Sequence, residues 1–150
     1  MSRFLLLADD DKDDRFFFEQ AISQIDPTVK WQTVNDGEKL MLWLIDNVDH
    51  LPDIVFLDLN MPRLNGFACL DQIRHNRKLQ HLFIAIYSTS TSTQDIKEAF
   101  DKGANIFINK PNGFDELKNV IRKVLELNPA DYSDHIAPEK FVLEVGYSRP

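Results

Sequence analysis

Five short apolar runs, each halted by a polar or charged residue, constrain this 150-residue chain more than any other feature. Four are unbroken, Phe4 to Ala8, Ile54 to Leu57, Leu82 to Tyr87 and Ile106 to Ile108, while Val29 to Val34 alternates loosely and reads as the second strand. Short continuous runs of this kind suit strands covered on both faces of a parallel sheet. Between them, apolar residues recur at helical spacing. Phe18, Ala21, Ile22 and Ile25 form the first stripe; Leu40, Met41, Leu44 and Val48 form the second. Phe67, Leu70 and Ile73 follow, then Ile96, Ala99 and Phe100, then Leu117, Val120, Ile121, Val124 and Leu127. Strands alternating with helices five times predict an α/β, doubly wound parallel sheet. The expected strand order is 2-1-3-4-5, the flavodoxin-like arrangement.

Local punctuation agrees with that alternation. Asp13 or Asp14 is placed to cap the first helix and Pro27 to stop it; Asp36 caps the second. Ser92 with Asp95 reads as a capping box, Gly103 as a helix terminator, and Asn128-Pro129 as the end of the last helix. Residues 1–128 are therefore expected to form one domain, followed by a tail at 129–150 too short for a separate output domain. Within that tail, Lys140 to Tyr147 is apolar and strand-like. The sequence leaves open whether it packs back, joins a partner or a homodimer, or is mobile.

Charge and composition exclude several classes. A net charge of −7 argues against nonspecific nucleic-acid binding, which needs a basic footprint. The single Cys69 excludes an internal disulfide framework and reads as a packed small residue. No stretch approaches the ~20 apolar residues of a membrane span, and Met1 to Leu7 is too short for a signal peptide. A soluble, cytoplasmic protein without nucleic-acid or membrane partners is expected. His50, His75, His81 and His135 fall in no motif, and Arg74 to Lys78 reads as a solvated helix end.

The residues at the carboxyl ends of the runs carry the chemistry. The first run ends at Asp9, Asp10 and Asp11, the third at Asp58, the fourth at Ser88 and the fifth at Lys110. On its own, Asp58 reads equally well as a candidate nucleophile or metal ligand and as an acid that merely ends a strand or caps the next helix. In the proposed order, however, these ends meet at the switch point of the winding, where α/β sheets gather their sites. Clustered carboxylates either rise in pKa or recruit a cation, and hard oxygen donors with room for water and phosphate suit Mg²⁺. A carboxylate nucleophile flanked by cations, with a hydroxyl nearby, is a layout for taking up a phosphoryl group.

On these residues the chain resembles a response-regulator receiver domain of two-component signalling, of the stand-alone, chemotaxis-regulator-like type. The motifs are LLLADDD at Leu5 to Asp11, LDLNMPRLNG at Leu57 to Gly66, YSTS at Tyr87 to Ser90, and NKP at Asn109 to Pro111. The resemblance covers about Arg3 to Leu127. It implies that Asp58 is the phosphoacceptor, forming an aspartyl phosphate in a phosphorelay. It implies Mg²⁺ held by Asp10 directly, by Asp9 more through water, by Asp58 and by the Asn60 backbone carbonyl. It further implies a catalytic Lys110 followed by a cis bond to Pro111, a Ser88 hydroxyl that hydrogen-bonds the phosphoryl group once it is on Asp58, and Phe107 as the switch aromatic. Phe107 lacks the phenolic hydroxyl common there, and Asp11 adds a charge beside the acidic pair.

The implied partners are a sensor histidine kinase or histidine phosphotransfer protein, and a downstream protein that reads the face built by the fourth helix, fifth strand and fifth helix. The implied role is signalling rather than turnover. Two rivals share the fold. An aspartyl-nucleophile phosphohydrolase wants an acid two residues after the nucleophile, where this chain has Asn60. A flavodoxin-like carrier wants a phosphate-cradling loop where Asp9 to Asp11 would repel phosphate.

Overall fold

The computed structural model describes residues 3–132 and 137–143. Strands β1 (Phe4–Ala8), β2 (Lys30–Val34), β3 (Ile54–Leu57), β4 (Phe83–Ser88) and β5 (Ile106–Asn109) alternate with helices. The helices are α1 (Lys12–Ile25), α2 (Gly37–Asp46), α3 (Gly66–Arg74), α4 (Thr93–Asp101) and α5 (Phe114–Glu126). A 3₁₀ turn (Pro129–Tyr132) and a short α6 (Pro138–Phe141) follow. All strand pairs are parallel, in the order β2-β1-β3-β4-β5 that the alternation predicts.

Because strand side chains alternate between faces, the sheet divides the core in two. Leu6, Ala8, Val55, Leu57, Ile84 and Ile86 face the apolar stripes of α2, α3 and α4. Leu5, Leu7, Phe56, Ala85 and Ile108 face α1 and α5. The predicted stripe residues Phe18, Ala21, Ile22, Leu40, Leu44, Leu70, Ile73, Ile121 and Val124 are all buried. Cys69 is buried as well, and burial pushes its thiol up to about 12.

Several local expectations change. The cap of α1 is Asp11, whose carboxylate accepts from the Asp13 and Asp14 amides. Asp11 immediately precedes the helix, so its short side chain can reach those orphan donors, whereas Asp13 and Asp14 already lie inside the first turn. The capping box at α4 forms by half. Ser92 Oγ accepts from the Asp95 amide at 3.3 Å, but the Asp95 carboxylate takes the Ser90 hydroxyl instead. Gly103, at φ +93°, does end α4. Arg74 is not solvated: its guanidinium donates to the carbonyls of Gly103, Gln80 and Leu82 and to Asn105 Oδ1. His50, His75 and His81 are exposed, while His135 lies outside the described residues.

The expectation of a cis Lys110–Pro111 bond is also corrected, since no peptide among the described residues is cis. Trans is the lower-energy isomer even before proline, and the long Lys110 side chain reaches its carboxylate partners from it. The apolar tail is helical rather than strand-like through Phe141; among the described residues, Val142 alone of the tail pairs with β5, opposite Phe107. Residues 144–147 of that predicted stretch lie outside the described residues.

Candidate functional site

Ladder hydrogen bonds fix four side chains at one end of the sheet. The Asp9 amide donates to the Val34 carbonyl at 3.1 Å and the Asp58 amide to Ala8 at 3.0 Å. The Lys110 amide donates to the Ser88 carbonyl at 2.8 Å. Each residue is thus held where a strand stops, and β1, β3, β4 and β5 are consecutive neighbours in the sheet. Gly66, opening α3, lets that helix approach the Asp58 backbone. A Cβ at position 66 would stand 2.3 Å from the Asp58 carbonyl oxygen.

The carboxylates differ in exposure. Asp9 is 0% exposed and Asp58 5%, whereas Asp10 lies open to solvent. One oxygen from each of Asp9, Asp10 and Asp58 falls within 4.8 Å of the others. Asp9 Oδ1 accepts from the Asp11 amide at 2.9 Å. Asp9 Oδ2 is buried and has no hydrogen-bond partner, although Lys110 Nζ stands 2.9 Å away, off the bonding direction. Burial pushes the Asp9 carboxyl up to about 7, with Lys110 and the Asp11 amide pulling it the other way. Asp58 Oδ1 accepts from the Asn60 amide at 3.2 Å, and Asp58 Oδ2 from Lys110 Nζ at 3.3 Å.

Lys110 lies at the centre of this arrangement. Its ammonium is 2.8 Å from Asp14 Oδ2, closer than it is to Asp58, and 5.4 Å from the centroid of the Tyr87 ring. Burial works against the charged amine, but the contacts with Asp14, Asp9 and Asp58 outweigh it and hold its pKa above the ordinary lysine value. Ser88 is fully buried, and its hydroxyl oxygen accepts from the Ser90 amide at 3.1 Å. Phe107, next to Ile86 in the β4–β5 register, points inward and is 1% exposed; its ring centroid lies 6.3 Å from that of Phe141.

Asp9, Asp10, Asp58 and Lys110 are thus brought together as the strand ends predict, with Asn60 attached through its amide. The sequence reading treats Asp14 as a cap or a solvated charge, and Asp14 is the residue it misses. Its partner Lys110 is 96 positions away, so no local pattern announces the pair. Membership of the first turn of the helix leaving β1 was the only available signal.

The donor set suits a hard divalent cation. Three carboxylate oxygens converge, and Asp9 brings a buried oxygen that has the Lys110 ammonium beside it but no hydrogen bond. Such an ion would compensate the loss of solvation that lifts Asp9.

A family model described as the response regulator receiver domain matches residues 5–122. The chain is similar to the probable methanogenesis regulatory protein FilR2 of Methanothrix harundinacea, at 26% identity over 125 residues, covering 81% of each chain. It spans only 33% of the response regulator Rre1 of Synechocystis sp. and 7% of the hybrid signal transduction histidine kinase K of Dictyostelium discoideum. Among solved structures, the phosphorylated cyanobacterial phytochrome response regulator RcpA matches at TM-score 0.76 and 25% identity, over 84% of this chain and 93% of that one. Response regulator RPA3017, from red light signaling of R. palustris, matches at TM-score 0.73 and 29% identity, over 81% and 90%. Among the described residues no helix is long and apolar enough to cross a membrane.

Proposed function

The chain belongs to the response regulator receiver domain family and so to two-component signalling, and on that premise we propose that Asp58 is the residue that takes up the signal, as an acyl phosphate. The observation that carries this reading is the buried Asp58 carboxylate, 3.3 Å from Lys110 Nζ and grouped with Asp9 and Asp10. In the transfer, an Asp58 carboxylate oxygen attacks the phosphorus of a phosphohistidine on a histidine kinase or phosphotransfer protein. The new P–O bond forms as the P–N bond breaks, and the imidazole leaves with the bonding pair.

Asp9, Asp10, Asp58 and the Asn60 carbonyl would hold Mg²⁺, which when bound supplies charge neutralisation at the phosphoryl oxygens. Lys110, 3.3 Å from the Asp58 carboxylate, supplies a second positive charge. Ser88 turns its hydroxyl from the Ser90 amide to the new phosphoryl oxygen. Tyr87, kept protonated by burial, stays a neutral wall beside the amine. Because Asn60 cannot protonate or deprotonate anything here, water removes the phosphoryl group slowly, and the domain signals rather than turns over substrate. Phe107 relays the change at Ser88 to the surface of α4, β5 and α5, where a partner protein or a second copy docks.

The test is intact-mass spectrometry after incubation with Mg²⁺ and phosphoramidate. Wild type gains one phosphoryl group; Asp58→Asn gains none. Equal labelling of both, or of neither, contradicts the assignment.

A further inference from the structure

Lys110 has three acceptors within reach and serves two of them. Its N–H bonds point to Asp14 Oδ2 at 2.8 Å and Asp58 Oδ2 at 3.3 Å. Asp9 Oδ2, at 2.9 Å, is as near but receives no hydrogen bond. Of the three carboxylates, Asp14 is the most exposed, with a side chain 36% accessible against 7% for Asp58 and 0% for Asp9. Taken alone, a half-solvated pair is worth little. Yet one of the two hydrogen bonds of the ammonium runs to this outermost acid, on α1.

We propose that Asp14 is a positioning residue that holds one donor of the Lys110 ammonium toward α1 and so keeps its ion pair with the inner oxygen of Asp9 loose enough for a divalent cation to displace. This rests on the reading of the site as a Mg²⁺-dependent phosphoacceptor. An ammonium has three N–H donors. With the Asp14 charge removed, the freed donor turns to Asp9 Oδ2, and the 2.9 Å ion pair there gains the hydrogen bond it lacks. A cation would then have to break that pair, and removing one member of a buried pair is costly. The same contact ties α1 to the β5–α5 connection, so cation uptake and the placement of the first helix turn are linked. Asp14 takes no part in bond making; it acts only through where Lys110 stands.

The test is calorimetric titration with MgCl₂ and, separately, MnCl₂, without phosphodonor. The proteins are wild type, Asp14→Asn, Asp14→Ala, Asp14→Glu and Asp13→Asn, each checked for folding by circular dichroism. Asp13 sits on the same helix turn, is exposed, and is not among the ion-pair partners of Lys110, so it controls for loss of one negative charge. Asp14→Asn and Asp14→Ala are expected to weaken cation binding about three- to ten-fold. Asp13→Asn should change it by less than about two-fold, as a screened surface charge does. Asp14→Glu, which keeps the charge, should recover most of the affinity. In a Lys110→Met background the Asp14→Asn effect should shrink to that of Asp13→Asn, because non-additivity marks residues that act through each other. Equal effects of the Asp14 and Asp13 variants, or an undiminished Asp14 effect without Lys110, overturn the proposal and leave the phosphoacceptor reading intact. A wild type that takes up neither cation overturns both.

Discussion

The Leu143 amide donates to the Phe107 carbonyl at 2.9 Å, which lays the C-terminal segment along the outer edge of β5. Just before it, Phe141 is 1% exposed and packs edge-on against Phe100, with ring centroids 5.2 Å apart. A four-residue helix has no stability of its own, so the aromatic anchor must hold the segment. Phe141→Ala should therefore cost about 3–5 kcal/mol in denaturant unfolding. A loss below ~1 kcal/mol would mean that the segment is not part of the folded core.

The buried Asp9 gives an unusual pH dependence. Its pKa rises from 3.8 to about 7 on folding, so the native state holds its proton more tightly than the unfolded chain. Below about pH 4 both states are protonated and the group costs nothing; above about pH 7 both are ionised and the full burial penalty applies. Through this group, the metal-free protein loses stability as pH rises from about 4 to 7. Asp9→Asn should flatten that slope and raise the melting temperature at pH 8. Unchanged melting curves for the variant would refute the burial argument. Below pH 7, cation binding should also release protons, which calorimetry in buffers of different ionisation enthalpy can count.

Gly66 matters through space rather than backbone conformation. Besides the 2.3 Å clash with the Asp58 carbonyl, an added Cβ would meet the Leu59 Cα at 2.8 Å. Both are backbone atoms with no rotamer to escape into. Gly66→Ala should destabilise the domain by about 1–3 kcal/mol and slow phosphorylation, because the atoms displaced belong to Asp58 and its neighbour. Wild-type labelling kinetics in this variant would show that the α3 approach does not position the acceptor.

The Cys69 thiol, pushed up to about 12 by burial, should resist dithionitrobenzoate at pH 8 in the native protein. It should react fully once guanidinium unfolds the chain, since the thiolate is the nucleophile. Rapid native-state reaction would place it at a mobile or exposed position.

Where chemistry sits at the end of a buried apolar run, the sequence is readable. Ala8 to Asp9, Leu57 to Asp58 and the step into Lys110 are abrupt polarity changes, and parallel winding carries them to one end of the sheet. Asp14 is not readable in that way. Its meaning comes from Lys110, delivered by β5 across the mouth, and helix position alone cannot separate a partner of that amine from a solvated charge. Capping shows the same limit at one residue's scale: Asp11, Asp13 and Asp14 are chemically equivalent, and only the geometry of the turn leaving β1 selects Asp11. Phe141 was likewise hidden, because Lys140 to Val145 has strand-like composition, while Pro138 and the docking of one ring on Phe107 make its start helical.

The most direct measurement is the location of the phosphoryl group. Wild-type protein treated with Mg²⁺ and phosphoramidate, then reduced with borohydride, converts an aspartyl phosphate into homoserine, which peptide sequencing by mass spectrometry can assign. The prediction is homoserine at position 58 alone, lost when Mg²⁺ is withheld. Homoserine at Asp9, Asp10 or Asp14, or no conversion at all, would contradict the account.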